Sequence, residues 1–144
     1  MPRVVFADLE LWLTGWLRAE LAARPEPFCR GVFVSNREPG PDQGDVVHER
    51  MVIVRDDGGP RESVVTESRN VGTTVVAGPR DAPKEAGDLA RVVRAIFDDA
   101  AGTQPGNPVA AVRASRGPYS VPDPAGRARK YMTHEMVCAG TPLP

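Results

Sequence analysis

Arg50, Arg55, Asp56, Asp57 and Arg61 place five charged groups within twelve positions. Paired carboxylates can share general acid–base work when they converge on one point. Asp56 and Asp57, however, follow the apolar run Met51-Val52-Ile53-Val54 and precede Gly58-Gly59-Pro60. That context ends a strand and reverses the chain, and adjacent residues at a strand end point to opposite sides. Turn chemistry therefore accounts for the two acids better than catalysis. The guanidinium and carboxylate groups can satisfy one another within the chain, or meet the same set on a second copy through bidentate pairs. Both arrangements are open to this composition.

Other reactive constellations find little support. Ser63, Ser68, Ser115 and Ser120 lie outside any glycine-flanked nucleophile turn, and neither His48 nor His134 falls in a triad signature. Gly58-Gly59-Pro60-Arg61 lacks the lysine and spacing of a phosphate loop, and no GxGxxG follows a strand. Cys29 and Cys138 have no CxxC spacing, so with two histidines they do not make a zinc set. Both are read as reduced, small apolar residues, a disulfide being the alternative. His48 is expected in solvent and His134 half-buried and hydrogen-bonded in a strand. The expectation is a non-enzyme with no catalytic residue, cofactor or metal.

A chain of 144 residues with 41 % hydrophobic content has the size of one domain enclosing one core. Its net charge of -1 argues against a dedicated nucleic-acid binder. The charge is uneven: over 37–62 acids outnumber bases seven to four, and over 109–144 bases outnumber acids five to two. Such a split suits head-to-tail association of copies, although a folded surface can average it out. No apolar run of about eighteen residues is present, and Asp8 and Glu10 interrupt any signal-peptide pattern. A chain that stays in a cytoplasm, off membranes, is expected.

The elements that position these groups follow from periodicity. Leu9, Trp12, Leu13, Trp16, Leu17 and Leu21 recur at helical steps, so 8–23 is predicted helical, capped by Asp8 and stopped by Pro25. Leu11 points off that stripe and is a candidate contact to another chain, or an isolated exposed leucine. Strands are predicted over 31–35 and 50–55 as an antiparallel pair, then over 63–69 and 73–77 with a reversal at Asn70-Val71-Gly72. The polar link 36–49 carries Pro39, Gly40, Pro41 and Gly44 and is expected to stay flexible until it meets a neighbour. A second helix is predicted over 84–101, with Ala86, Leu89, Ala90, Val93, Ile96 and Phe97 on one face and Gly102 closing it. The last third reads as a long ribbon, 109–116 out and 131–139 back, with Pro122-Asp123-Pro124-Ala125-Gly126 forming the tip, which carries Arg127, Arg129 and Lys130. Tyr131, Thr133, Glu135 and Val137 alternate with Met132, His134, Met136 and Cys138, so one face can be buried. The predicted fold is α+β over 1–144: a mostly antiparallel sheet, two main helices on one face, a long C-terminal β-ribbon and a short tail at 140–144.

In their order, several strings resemble the tail terminator (tail completion) proteins of long-tailed bacteriophages, particularly those of actinobacteria. These are Phe6-Ala7-Asp8-Leu9-Glu10-Leu11-Trp12-Leu13-Thr14-Gly15-Trp16-Leu17-Arg18, then Gly31-Val32-Phe33-Val34-Ser35-Asn36-Arg37, and residues 50–61. Asp88-Leu89-Ala90-Arg91-Val92-Val93-Arg94-Ala95 and Arg129-Lys130-Tyr131-Met132-Thr133 complete the set. The 36–49 insertion, the Lys84-Glu85-Ala86 entry to the second helix and the proline-rich end depart from the family pattern.

The resemblance implies a non-enzymatic virion protein of the head–tail junction, assembled in the host cytoplasm. It would form a homohexameric ring that caps the tail tube, stops polymerisation of the major tail protein and joins the head connector or stopper. Genomic DNA would pass through its lumen without specific binding, which a charge near zero permits. A closed ring needs two unlike surfaces on each copy. Leu11, Arg50, Arg55, Asp56, Asp57 and Arg61 are the candidates for the joint between subunits. Arg37, Asp42, Asp45, Arg127, Arg129 and Lys130 are the candidates for axial contacts. Competing readings are a head-closure protein of the phage neck, a piece of a phage-derived tail-like particle, and a small cytoplasmic enzyme or ligand-binding domain built on the Asp56-Asp57 turn.

Overall fold

The structure, a computed structural model, describes residues 3–40 and 48–144. Helix α1 (Leu9–Ala22) starts where Leu11 donates its backbone N–H to Asp8 Oδ1 at 3.0 Å, the cap expected from sequence. It buries Leu9, Leu13, Leu17 and Leu21, each contributing about 2 kcal/mol by area removed from water. Trp12 and Trp16 stack at 5.2 Å along its flank, while Leu11 stands out at 70 % exposure.

Five strands form the main sheet: β2 (Phe33–Ser35), β3 (Arg50–Asp56), β4 (Thr66–Pro79), β5 (Val109–Val121) and β6 (Arg127–Ala139), in the order β2-β3-β4-β6-β5. A two-stranded piece pairs β1 (Val4–Val5) with β7 (Thr141–Pro142). Helix α2 (Lys84–Asp98) lies beside α1. Val52, Val54, Val71, Val75, Met132 and Met136 from one sheet face join the leucines of α1 and Leu89, Ala90, Val93 and Phe97 of α2 in a single core. The fold is therefore α+β, with a mostly antiparallel sheet and both helices packed on the same face. Alternate residues of β3 and β4 point the other way, where Met51, Ile53 and Val76 make a smaller cluster with Phe33. No helix among the described residues is long and apolar enough to cross a membrane.

Several local expectations need correction. Strand β2 runs parallel to β3, with Phe33 opposite Met51, and not antiparallel to it. The 36–49 link is long enough for the crossover that parallel pairing requires. Asn70-Val71-Gly72 does not reverse the chain, because β4 continues straight through it. Val71 pairs with Asp56 on one side and His134 on the other, and ladders on both sides outweigh local turn propensity. The Asp57-Gly58-Gly59-Pro60 segment is likewise not the reversal. Asn70 still donates to Gly58 O and Ser68 to Pro60 O, so the chain bends around Gly58 (φ 81) and stays paired. The hairpin turns at 62–66, where Ser63 Oγ accepts from Val65 and Thr66 backbone N–H groups.

Helix α2 ends before Gly102: Ala100 N–H donates to Phe97 O, and Asn107 Nδ2 holds Ala100 O at 2.9 Å. The ribbon extends further than expected on both strands, but β6 is held between β4 and β5, so of the two ribbon strands it is β5 that lies at a sheet edge. The tail is also paired, through Thr141–Pro142 and a Leu143 N–H bond to Arg3 O.

Candidate functional site

The charged cluster at the end of β3 mostly satisfies itself. Arg50 pairs with Glu85 of α2 and donates to Arg30 O at 2.9 Å. Arg61 donates to Ser63 O and Val64 O and lies 6.0 Å from the Phe6 ring centroid. Asp56 accepts from Gly58 N–H and stands 3.6 Å from Arg69, while its own N–H is held by Glu10 Oε2. Among the described residues, Arg55 and Asp57 have no ion pair with a side chain of the chain itself. Both are exposed.

The two acids point to opposite sides, as adjacent strand-end residues should. Arg55 sits opposite Gly72 in the ladder, on the sheet face that carries no helix. Asp57 Oδ2 and Tyr131 Oη close over Gly72, lying 3.1 and 2.5 Å from where a Cβ there would be. Burial is the first cause raising the Tyr131 pKa, and the Asp57 charge adds to it. Tyr119 meets Tyr131 edge-on at 5.9 Å. Arg55, Asp57, Tyr131 and Tyr119 thus form a polar aromatic patch on the open sheet face. Leu11 projects from α1, which packs on the opposite face of the main sheet.

The link is anchored by its own chain at both described ends. Asn36 Nδ2 donates to Glu10, Glu38 pairs with Arg129, His48 stacks on Phe33 at 3.8 Å, and Glu49 O accepts from Arg127. These ends do not wait for a neighbour, and His48 packs on a ring where solvent was expected. Arg37 N–H donates to Ser35 Oγ. Asp42 and Asp45 lie outside the described residues.

The basic tip is organised around Asp123, which the sequence places in the tip turn but does not mark as a partner of the basic residues. Its Oδ2 accepts from Ala125 and Arg127 backbone N–H groups at 3.0 Å each, and its Oδ1 accepts from Arg129 Nε at 2.9 Å. Burial pushes the carboxyl up, but these donors and the Arg129 charge outweigh it and hold the pKa below the ordinary value. The Asp-Pro-Ala-Gly sequence carried the signal, since aspartate favours bonding its own backbone two residues on. Arg129 is consequently spent on Asp123 and Glu38, whereas Lys130 Nζ donates to Ser120 Oγ at 2.7 Å. Arg127, Arg129, Lys130 and Arg80 line a cleft of about 370 Å³ whose remaining walls include Pro83, Val121, Pro122 and Ala128. Arg80 was not singled out from sequence, being a lone arginine in a turn with no pattern around it. Asp56, Asp57 and His48 do not line this cleft.

His134 is fully buried rather than half-buried. Nε2 approaches Asp98 at 3.2 Å without hydrogen-bond geometry, and Nδ1 has no partner. Cys29 and Cys138 are free and buried, and burial pushes the Cys138 thiol up to about 11. No group of three or more metal-ligating side chains occurs among the described residues. No protein-family model matches the chain, and a search of curated proteins finds none similar to it.

Proposed function

We propose that this chain is a tail-terminator-type assembly protein of a long-tailed phage. Copies of it would close into a six-membered ring on the finished tail tube, stop addition of the major tail protein and present a surface to the head connector. The observation that carries this reading is the pair of unlike, unsatisfied surfaces on either side of one sheet. Leu11 projects at 70 % exposure from α1, and Arg55 and Asp57 stand unpaired beside Tyr131 on the face without helices. A ring that closes by head-to-tail contact requires such a pair, because each joint buries one surface of each kind. The ordered strings at 6–18, 31–37, 50–61, 88–95 and 129–133 lend further support. The ribbon tip, with Arg127, Arg129 and Lys130, would then serve axial contacts to tube or connector.

The test is electron microscopy of lysates from the parent phage with this chain deleted. Over-long tubes without heads are expected. Normal-length tails beside full heads would move the protein to the head-closure layer, and intact virions would overturn the reading.

A further inference from the structure

We infer that the cleft between the start of α2 and the ribbon tip is a carboxylate-binding site that takes an acidic side chain, next to an apolar one, from a partner protein. Its charge is unbalanced. Asp123 and Glu38 are both engaged by Arg129, so among the described residues Arg80, Arg127 and Lys130 have no carboxylate partner. Two of the three are also held in place. Arg127 is fixed by its bond to Glu49 O at 2.5 Å, and Lys130 lies over Gly87 of α2 with its ammonium at Ser120 Oγ. Side chains already restrained lose less entropy on capturing an anion, so more of the interaction survives as affinity.

The shape selects among anions. About 370 Å³ falls within the size range of small-ligand clefts and is far too small for a nucleic-acid duplex. No lining residue is aromatic, so bases of a single strand would find no stacking platform. Pro83, Val121 and Ala128 give apolar wall beside the cations, and a charge pair formed against such a wall is screened less than one in open water. A glutamate or aspartate beside a leucine or valine matches both features; a bare phosphate matches only one. The partner's identity as a tail or connector protein rests on the function proposed above, but the anion site itself does not.

The experiment is an amide-resolved NMR titration of the full chain with acetyl-Leu-Glu-Val-Asp-amide, its Gln/Asn counterpart and a short oligothymidylate. The acidic peptide is expected to shift Ser120, Val121, Ala128 and Lys130 with an affinity on the order of millimolar, and the neutral peptide to bind at least about tenfold more weakly. Arg80→Ala and Lys130→Ala should each weaken the acidic peptide by about tenfold with unchanged melting temperature. Absence of shifts at these residues, equal binding of the neutral peptide, or stronger binding of the oligonucleotide at the cleft would overturn the proposal. Peptide binding here together with intact virions from the deletion phage would keep the site and remove the assembly role. Over-long tubes without peptide binding would do the reverse.

Discussion

His134 Nε2 lies 3.2 Å from Asp98 Oδ1, with the imidazole fully buried and the carboxylate side chain 43 % exposed. Phe97 meets the imidazole edge-on at 5.5 Å, and both ring nitrogens lack a hydrogen bond. Burial lowers the histidine pKa and outweighs the opposing pull of Asp98, while the nearby Arg94 charge lowers it further.

The sign of the resulting pH dependence follows by linkage. Below about pH 6.5 the unfolded chain binds a proton at this position that the folded chain refuses until a lower pH. Stability should therefore fall as pH drops from about 6.5 toward the folded value, and level off below it. Urea unfolding compared at about pH 7.5 and about pH 5.5 should show a lower midpoint in acid, and His134→Leu should flatten that difference. Glu62, Asp88 and Asp123 are held below the ordinary carboxylate pKa by their basic and backbone partners, so they take up a proton only on the acid side of the usual carboxylate range and leave this window clear. An equal acid loss in the leucine variant would assign the effect to another group.

Gly59 provides a test of how the β3–β4 hairpin is built. A Cβ at this position would collide with the Ser68 carbonyl, which is main chain and already accepts no adjustment from a side-chain rotation. Gly59→Ala should lower stability by about 1–3 kcal/mol, the range for forced overpacking. The loss would appear as a lower urea midpoint and as faster amide exchange at Ser68 and Asn70, whose N–H groups bond Pro60 O and Gly58 O. A neutral substitution would mean that the 57–60 bend is not held this close.

What could be read from sequence followed from local regularity. Helix α1 was legible because leucines at three- and four-residue steps and an Asp8 cap agree with one another. The alternation of Met132, His134, Met136 and Cys138 with Tyr131, Thr133, Glu135 and Val137 showed only that one face of β6 can be buried; the first set is buried, and Val137 of the other set is buried as well. Parallel pairing of β2, by contrast, is a choice made across the 36–49 link, where no local signal bears on direction. Asn70-Val71-Gly72 misled because its turn propensity is local, whereas its two ladder partners come from distant segments. Side-chain partners were the least accessible: Arg50 finds Glu85 at a separation of 35 residues, and Arg129 finds Glu38 at 91. Those pairings decide which basic residues remain available, and they form between segments too distant in sequence for any local pattern to announce them.

Internal pairing also divides the candidates for the proposed joint between copies. Arg50, Asp56 and Arg61 are engaged within the chain, and replacing them should disturb the fold itself. Arg55 and Asp57 are exposed and carry no internal ion pair, so Arg55→Glu and Asp57→Arg should change the stability of the isolated chain by no more than about 0.5 kcal/mol. At a joint, each change would set like charges against a surface complementary to the original residue, and loss of one paired charge there weakens association by about tenfold or more. Complementing the deletion phage with each variant should therefore lower the yield of complete virions by at least about tenfold, with over-long tubes accumulating in proportion. Full yield from both variants, at unchanged chain stability, would remove Arg55 and Asp57 from the joint and leave the open sheet face for another partner.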